Sequence, residues 1–252
     1  MKKIQMTLIQ IDNYGPWTVT PEPRRESELQ TLQAKLFAEL ERSFASRGGL
    51  VFQTRVDNML AITNGMDLDA HRSVQKAINK KFPVSVSMSI GAAATPYGAQ
   101  NAATLALQCA GSSRSAKRKA ALVGSCVGGR DEDWVQIAHM DVNHSTSLTD
   151  SEPIYNTHVL LQKIYMSLML ALVKRKALVF YTGGDNFMSP SNGLDADDVS
   201  KVFSEVKKES GVGLKAGVGG AANAEDAARL ATEGLHDIRK HRAKGSIVFK
   251  SR

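Results

Sequence analysis

The chain is poor in the residues that mark several protein classes. Only 6% of its 252 residues are aromatic, and its two cysteines, Cys109 and Cys126, form no CxxC pair and have no histidine beside them. A zinc cluster and a disulfide scaffold are therefore unsupported, and the composition fits a reducing, cytoplasmic setting. The longest apolar stretch, Ile164 to Val173, is much shorter than the roughly 20 residues of a membrane span, so we expect no membrane association.

Acidic residues are in deficit. The chain has 25 Asp and Glu against 32 Lys and Arg, a net charge of +7, and the excess lies in the half that ends at Cys126. This balance favours an anionic ligand. Nucleic acid is not the expected partner, because a nucleic-acid surface needs denser basic residues with interleaved aromatics. With 42% hydrophobic residues, the chain can bury one large core or two smaller ones.

An internal repeat is the most informative feature of the sequence. LVFQTRVDNMLAITNG (Leu50 to Gly65) matches LVFYTGGDNFMSPSNG (Leu178 to Gly193), 128 residues later. The segment from Ile90 to Ala93 matches that from Val218 to Ala221 at the same offset, and IQID ending at Asp12 is matched to IAHMD ending at Asp141. Three blocks in one order indicate a duplicated domain.

Hydrophobic periodicity predicts the same elements in each half. Strands are expected at Ile4 to Asp12, on both sides of Asp57-Asn58 and at Val84 to Ala94, and again at Trp134 to Asp141, Ala177 to Ser189, Val212 to Gly220 and Ser246 to Lys250. Helices are expected near 29–44, 68–81, 101–117, 157–174 and 225–239, and a further helix is expected to start at Asp195. The Pro-rich segment 14–23 is predicted to be a loop.

This order predicts an α+β fold of two tandem ferredoxin-like domains, with antiparallel sheets that carry their helices on one face. The first domain is expected to span residues 1–122 and the second 134–252. Residues 123–133, which contain Gly124, Gly128 and Gly129, are predicted to be a linker.

Aspartates at the strand end and the hairpin tip suggest a metal site. In a ferredoxin-like sheet the first strand lies beside the central hairpin, so Asp12 is expected to face Asp57, and Asp141 to face Asp185. Neighbouring carboxylates repel each other unless a cation lies between them, and Mg²⁺ prefers such oxygen ligands. The competing interpretation is that Asp-Asn is simply favoured in turns.

The same residues carry a family resemblance. A strand-end Asp followed by a Gly-Gly-Asp-Asn hairpin resembles the palm domain of nucleotidyl cyclases. Residues 9–30, with 52–67 and 180–193, are similar to archaeal GTP cyclohydrolase III, and this likeness extends over nearly the full length.

That resemblance implies an enzyme that opens the imidazole ring of GTP by hydrolysis and releases the outer phosphates. The implied product is 2-amino-5-formylamino-6-(5-phosphoribosylamino)pyrimidin-4(3H)-one, an early intermediate of archaeal riboflavin and deazaflavin biosynthesis. It also implies Mg²⁺ as cofactor, with K⁺ or NH₄⁺ as activator. Metal-bound water is the expected nucleophile at carbon 8 and at phosphorus. We further expect a homo-oligomer, because two pseudo-symmetric halves favour symmetric assembly.

Candidate site residues follow from these matches. The proposed metal ligands and catalytic residues are Asp12, Asp57, Asp141 and Asp185. The candidates for binding substrate are Asn13, Tyr14, Trp17, Arg24, Arg25, Arg55, Asn58, Lys117, Gly183, Gly184, Asn186 and Lys244. His144 is a better candidate acid than His139, and His71 is interpreted as a surface residue.

The sequence leaves the catalytic half open. Charge and the long matched segment after Asp12 favour the first half or a junction of both, whereas Gly183-Gly184-Asp185 favours the second, because Arg55-Val56 replace those glycines in the first. Two alternatives to a cyclohydrolase stay open: a nucleotidyl cyclase and a non-catalytic GTP-binding sensor.

Overall fold

The protein is described by a computed structural model covering residues 2–115, 117–129, 132–143, 149–240, 242–243 and 245–252. The chain divides into two compact units. The first contains Met1–Ala94 and Gly98–Asp133, and the second contains Thr95–Tyr97 and Trp134–Arg252. In the described part of the chain, no helix is both long and apolar enough to cross a membrane.

The first unit has five strands and four helices in its described residues. In chain order they are β1 (Ile4–Ile11), α1 (Tyr14–Val19), α2 (Glu26–Ala45), β2 (Leu50–Arg55), β3 (Asn58–Ile62), α3 (Leu68–Lys81), β4 (Val86–Ala93), α4 (Pro96–Cys109) and β5 (Leu122–Gly124). The boundaries of α3 are those predicted from its apolar spacing, and Asp67 caps it by accepting the Ala70 N–H.

The second unit repeats this order. Its elements are β6 (Val135–Val142), α5 (Ile154–Lys174), β7 (Phe180–Gly183), β8 (Asn186–Pro190), α6 (Ala196–Ser210), β9 (Leu214–Ala221), α7 (Ala224–Arg239) and β10 (Ile247–Ser251). The side chains of Asp195 and Asp198 form a capping box at the start of α6, where the sequence places two aspartates in a first turn.

Each unit is built on one five-stranded sheet, and the two sheets share a topology. Their orders are β2-β3-β1-β4-β5 and β7-β8-β6-β9-β10. The central strand is antiparallel to both neighbours, and only the last strand pairs in parallel, β5 with β4 and β10 with β9. The predicted α+β fold of tandem ferredoxin-like units is therefore confirmed.

Helices cover both faces of each sheet, so the expectation of helices on one face is wrong. On one face of the first sheet, Ile9, Ile11 and Met88 pack against α2 and α3. On the other face Gly91 lies against α4, where an added Cβ would be 2.3 Å from the Ala99 carbonyl oxygen. Gly219 meets α7 in the same way in the second unit. Strand side chains alternate between faces, and glycine on the second face lets a helix backbone approach closely.

Two helix predictions are also wrong. The segment predicted as a loop contains α1, because Pro16 stands in its first turn, where a missing N–H costs nothing. The helix expected to reach Lys117 ends at Cys109, and Gly111 follows with φ of 110°.

The segment expected to link the domains begins within β5. Its Val127 N–H donates to Gln5 Oε1, and Asn64 Nδ2 donates to Asp133 Oδ1 at its end. The boundary after residue 122 thus cuts a strand of the first sheet.

Candidate active site

Asp12 is enclosed by hydrogen-bond donors. Its side chain is 3% exposed, and its carboxylate accepts from Ser85 Oγ at 2.8 Å, Ser87 Oγ at 2.5 Å and the Ala120 N–H at 2.8 Å. Arg118 Nη2 adds an ion pair at 3.4 Å. A carboxylate has about four lone-pair positions, so the protein itself satisfies Asp12.

Asp57 does not form a carboxylate pair with Asp12. Its backbone oxygen accepts the Ile11 N–H, which confirms that the hairpin tip adjoins the end of β1. Its carboxylate, however, pairs with Arg55 Nε at 3.5 Å, and both of these side chains are partly exposed. The two aspartates of the first unit are therefore engaged with different partners.

Strand register shows why the two halves differ. In the first sheet Gln10 pairs with Asn58, whereas in the second Asp141 pairs with Asn186. Asn58 and Asn186 are equivalent hairpin residues, because they are 128 positions apart in the repeat. Their strand partners, Gln10 and Asp141, are therefore equivalent to each other. The sequence match of Asp12 to Asp141 is thus wrong by two residues, and Asp12 corresponds to Asn143. The Asp12 N–H donates to the Ser85 carbonyl, and the Asn143 N–H donates to the carbonyl of Gly213, which is 128 residues after Ser85.

Asp141 lies at the end of β6 with one oxygen unsatisfied. The side chain is 3% exposed, and Oδ2 takes Lys215 Nζ at 2.9 Å and Arg239 Nη2 at 2.8 Å. Oδ1 is buried and has no hydrogen-bond partner in the described residues. A buried carboxylate oxygen of this kind is costly unless a ligand completes it.

Asp185 lies at the tip of the second hairpin, and its side chain contacts that of Asp141 in β6. Burial raises the pKa of the Asp141 carboxyl, whereas its side-chain contacts with Asp185, Lys215 and Arg239 lower it, and the net pKa lies below the ordinary aspartate value. The structure therefore brings together the carboxyl pair predicted for the second half.

The hairpin geometry depends on its glycines. Gly183 has φ of 111° and Gly184 has φ of 59°, and Tyr181 Oη donates to the Gly184 carbonyl. No side chain lies within 4 Å of the place where a Gly183 Cβ would stand, so that flank of the turn is open. Such a turn lets an anionic ligand approach the backbone.

Asn186 connects the hairpin to β6. Its Nδ2 donates to Asp185 Oδ1 at 2.9 Å, and its Oδ1 is 3.1 Å from His139 Nε2. Burial lowers the pKa of His139. Asn186 thus fixes the orientation of Asp185.

The donor set fits a hard divalent cation. Two adjacent carboxylates, one with a buried and unsatisfied oxygen, are the ligands that Mg²⁺ takes from proteins when it also binds phosphate. In the described residues, no group of three or more His, Cys, Asp or Glu side chains is placed to hold a metal ion, so the protein ligands at this site are the two carboxylates.

Lys215 and Arg239 were not among the predicted site residues. Lys215 is the one charged residue in the apolar strand β9, and Arg239 ends α7. A lone lysine in such a strand is a usable sequence signal. Arg239 is the first of several basic residues between 239 and 244, and nothing in the sequence distinguishes it from the others.

A cavity of about 480 Å³ adjoins Asp185. It lies between α5 and the hairpin, and it is lined by Thr157, whose Oγ1 is buried and has no hydrogen-bond partner among the residues that the structure describes. Its described lining is mostly apolar with a few polar groups: Val142, Thr149, Asp150, Ile154, Thr157, His158, Leu160, Leu161, Ile164, Tyr181, Gly184 and Asp185. This composition is typical of small-molecule sites.

The aromatic candidates of the first half pack against each other. The rings of Tyr14 and Trp17 stack with centroids 6.0 Å apart, and the Arg24 guanidinium lies 3.9 Å from the centroid of the Trp17 ring. Asn13 and Trp17 also line a cavity of about 260 Å³ beside Asp12. Arg25 is exposed at the N-cap of α2.

The remaining candidates belong to the first unit or lie outside the described residues. Asn58 is buried and accepts from Gln10 Nε2, and Lys117 is exposed in the segment after α4. Lys244 and His144 lie outside the described residues. His71 is fully buried, so its interpretation as a surface residue is wrong.

The strand topology and the carboxyl pair together define the structural class of the protein. The sheet order is that of two tandem ferredoxin-like units, and the second unit has one aspartate at the end of its first strand and one at its central hairpin. Among solved structures, the chain is similar to the GGDEF domain of DgcB from Caulobacter crescentus (12% identity, 47% of this chain and 79% of that chain, TM-score 0.38).

Sequence comparison identifies the family. The family model for GTP cyclohydrolase III matches residues 6–252. GTP cyclohydrolase III of Methanothermobacter thermautotrophicus is 54% identical over 94% of both chains, and that of Methanocaldococcus jannaschii is 49% identical over 98% of this chain and 91% of the relative. The chain belongs to the GTP cyclohydrolase III family of enzymes.

Proposed function

We propose that this protein hydrolyses GTP and opens the imidazole ring of its guanine, with the productive site in the second unit. The observation that carries the choice of unit is the buried, unsatisfied Asp141 Oδ1 beside Asp185. In the first unit Gln10 takes the place of Asp141, and the Asp12 carboxylate is already satisfied.

The cavity beside Asp185 is the proposed place for the base and sugar. Its volume of about 480 Å³ suits a nucleoside, and Thr157 Oγ1 on its wall has no partner within the described part of the chain. The apolar side chains of α5 would exclude water from one face of the purine. Tyr181, on the hairpin side, would contact the opposite edge.

The phosphates are proposed to lie along the hairpin turn. Gly183 and Gly184 leave the backbone accessible there, and Lys215 and Arg239 supply positive charge at the same end of the sheet. These two cations now neutralise Asp141 Oδ2. When a triphosphate is bound, their remaining N–H donors can hold its oxygens.

Mg²⁺ would be held by Asp141 and Asp185. When bound there it would neutralise phosphate charge and lower the pKa of a coordinated water. Asn186 keeps the Asp185 carboxylate in place through its 2.9 Å hydrogen bond, and Lys215 keeps Asp141 ionised. K⁺ or NH₄⁺ as activator is a further part of the proposal and rests on the family resemblance.

The proposed product is the formylated, ring-opened monophosphate named above, released with the outer two phosphates. Its proposed place is early in riboflavin and deazaflavin synthesis. Membership in the GTP cyclohydrolase III family supports the ring opening.

The test is to incubate purified protein with GTP and Mg²⁺, with and without K⁺, and to record the ultraviolet spectrum and the product mass. Loss of the guanine absorbance with the mass of the formylated monophosphate is the expected result. Intact guanine with pyrophosphate release would instead indicate a nucleotidyl cyclase. Bound, unchanged GTP would indicate a sensor, and either outcome would overturn the proposal.

A further inference from the structure

The first unit has a cavity at the place that corresponds to the carboxyl pair of the second. It has a volume of about 490 Å³ and lies between the strand pair β1–β3, the end of α4 and the segment that follows it. Gln10, the residue equivalent to Asp141, lines it together with Asn58, Ser112, Ser113 and Arg118.

Two buried donors in this wall lack acceptors. Arg118 Nε and Asn58 Nδ2 have no hydrogen-bond partner in the described residues, and the two residues are only 6% and 8% exposed. Other atoms fix both side chains, because Arg118 Nη2 donates to Gln10 Oε1 at 2.6 Å and Asn58 Oδ1 accepts from Gln10 Nε2 at 2.7 Å. Unsatisfied buried N–H groups indicate that an acceptor is missing.

The chemistry of the described lining excludes a metal and favours an anion. None of the described lining residues is acidic. Asp12, which lies outside the lining, pairs with Arg118 Nη2 at 3.4 Å and also accepts from Ser85, Ser87 and Ala120. Nε is therefore the guanidinium donor that has no acceptor in the described residues. Ser112 and Ser113 add hydroxyl donors at the mouth. The unpaired Nε–H of Arg118, with amide and hydroxyl donors and no carboxylate in the described lining, is a donor set that binds oxyanions.

We propose that this cavity binds a phosphate group without a metal ion, as inorganic phosphate or as the phosphate of a nucleotide. The duplication would then have produced two anion sites of different chemistry, one that uses a cation and one that uses protein donors alone. The proposal goes beyond the GTP hydrolysis proposed for the second unit and does not depend on it.

Calorimetric titration of the full chain with inorganic phosphate, in excess EDTA, tests this site. Chelation removes any metal-dependent binding, so failure of the proposed hydrolysis would not affect the result. Saturable binding is expected. Ser112→Asp places a carboxylate at the mouth while keeping an acceptor for the Arg114 N–H, and it should weaken phosphate binding about tenfold or more.

Ser125→Asp is the matched control, because Ser125 is exposed and does not line the cavity. It adds the same charge and should leave phosphate affinity unchanged. Gln10→Glu is the second variant. It keeps the acceptor for Arg118 but introduces a partly buried negative charge, so it should abolish phosphate binding while the melting temperature shows that the protein is folded.

Guanosine monophosphate and guanosine identify the source of the phosphate. Tighter binding of the monophosphate than of phosphate, with no binding of guanosine at this site, would support a nucleotide ligand. Equal affinities would support inorganic phosphate. No saturable phosphate binding, or binding that Ser112→Asp and Gln10→Glu leave unchanged, would overturn the proposal.

Discussion

A carboxylate can serve as a metal ligand only if the protein has not already used its lone pairs. Asp12 and Asp141 show the two cases, since both are buried at the end of a central strand. Asp12 has four protein partners, whereas one oxygen of Asp141 has no partner in the residues described here. The sequence predicts that each is an aspartate at a strand end. It cannot predict the partners, because Ser85, Ser87 and Ala120 reach Asp12 only through the fold.

Replacing Asp12 by Ala should destabilise the protein by about 3 to 5 kcal/mol, because the buried Arg118 would lose its ion pair. Urea unfolding followed by circular dichroism measures this. Asp57→Ala is the matched control, since Asp57 pairs at 3.5 Å with a largely exposed Arg55 and should cost less than about 1 kcal/mol. Equal losses from the two variants would contradict a structural role for Asp12.

The buried His71 should make the folded protein less stable at acidic pH. Burial lowers the pKa of His71, its Nδ1 donates to the Asp67 carbonyl, and Thr7 lies 2.8 Å from Nε2. His71 protonates near pH 6.5 in the unfolded chain but only at lower pH in the folded chain. Its contribution to the free energy of unfolding is therefore complete above pH 6.5 and is lost as the pH falls toward the folded-state pKa.

The free energy of unfolding, measured by urea titration from pH 7 to pH 5, should therefore fall more steeply in the native protein than in His71→Gln. The difference in slope should approach about 1.4 kcal/mol per pH unit. Parallel slopes in the two proteins would show that the ring titrates alike in the folded and unfolded states.

At the scale of the element, topology could be predicted from the sequence, but the register of the first strand could not. Strand alternation fixes which face a side chain occupies, and a slip of two residues keeps every side chain on its face. The match of Asp12 with Asp141 is such a slip. Hydrogen bonds resolve it, because the amide of Gln5 contacts Thr63 and Met66 as that of Gln136 contacts Ser191 and Leu194.

Helix ends show the same limit. The sequence predicts α3 from its apolar spacing, but the short α1 shows no helical periodicity of apolar residues. The sequence also extends α4 into the basic residues that follow it, whereas in the fold one of these, Arg118, pairs with Asp12. Tertiary contacts decide these segments, and they are absent from local patterns.

Gly219→Ala should destabilise the second unit by roughly 1 to 3 kcal/mol or more, because the new methyl group would lie 2.0 Å from the Ala227 carbonyl oxygen of α7. Gly128→Ala is the control, since no atom lies within 4 Å of the added carbon. Thermal unfolding of both variants measures the difference. A Gly219→Ala protein as stable as the control would contradict the close contact of β9 and α7.

At the scale of the whole molecule, one fold occurs twice with different chemistry at equivalent places. The second unit has Asp141, Asp185 and two glycines at its hairpin, whereas the first has Gln10 and Arg55-Val56 there. Duplication could be predicted from the repeated LVF and DN motifs. The division of roles could not, because Gln10 and not Asp12 occupies the place of Asp141, and only the strand pairing shows this.

The most direct test of this account compares ring opening of GTP by Asp141→Asn and Asp12→Asn, both measured below their unfolding temperatures with saturating Mg²⁺. We expect Asp141→Asn to lose activity by roughly 100-fold or more, because a bound metal supplies several kcal/mol of transition-state stabilisation. Asp12→Asn should be less stable but active. A folded Asp141→Asn protein with native turnover, beside an inactive Asp12→Asn protein, would contradict the assignment of the site to the second unit.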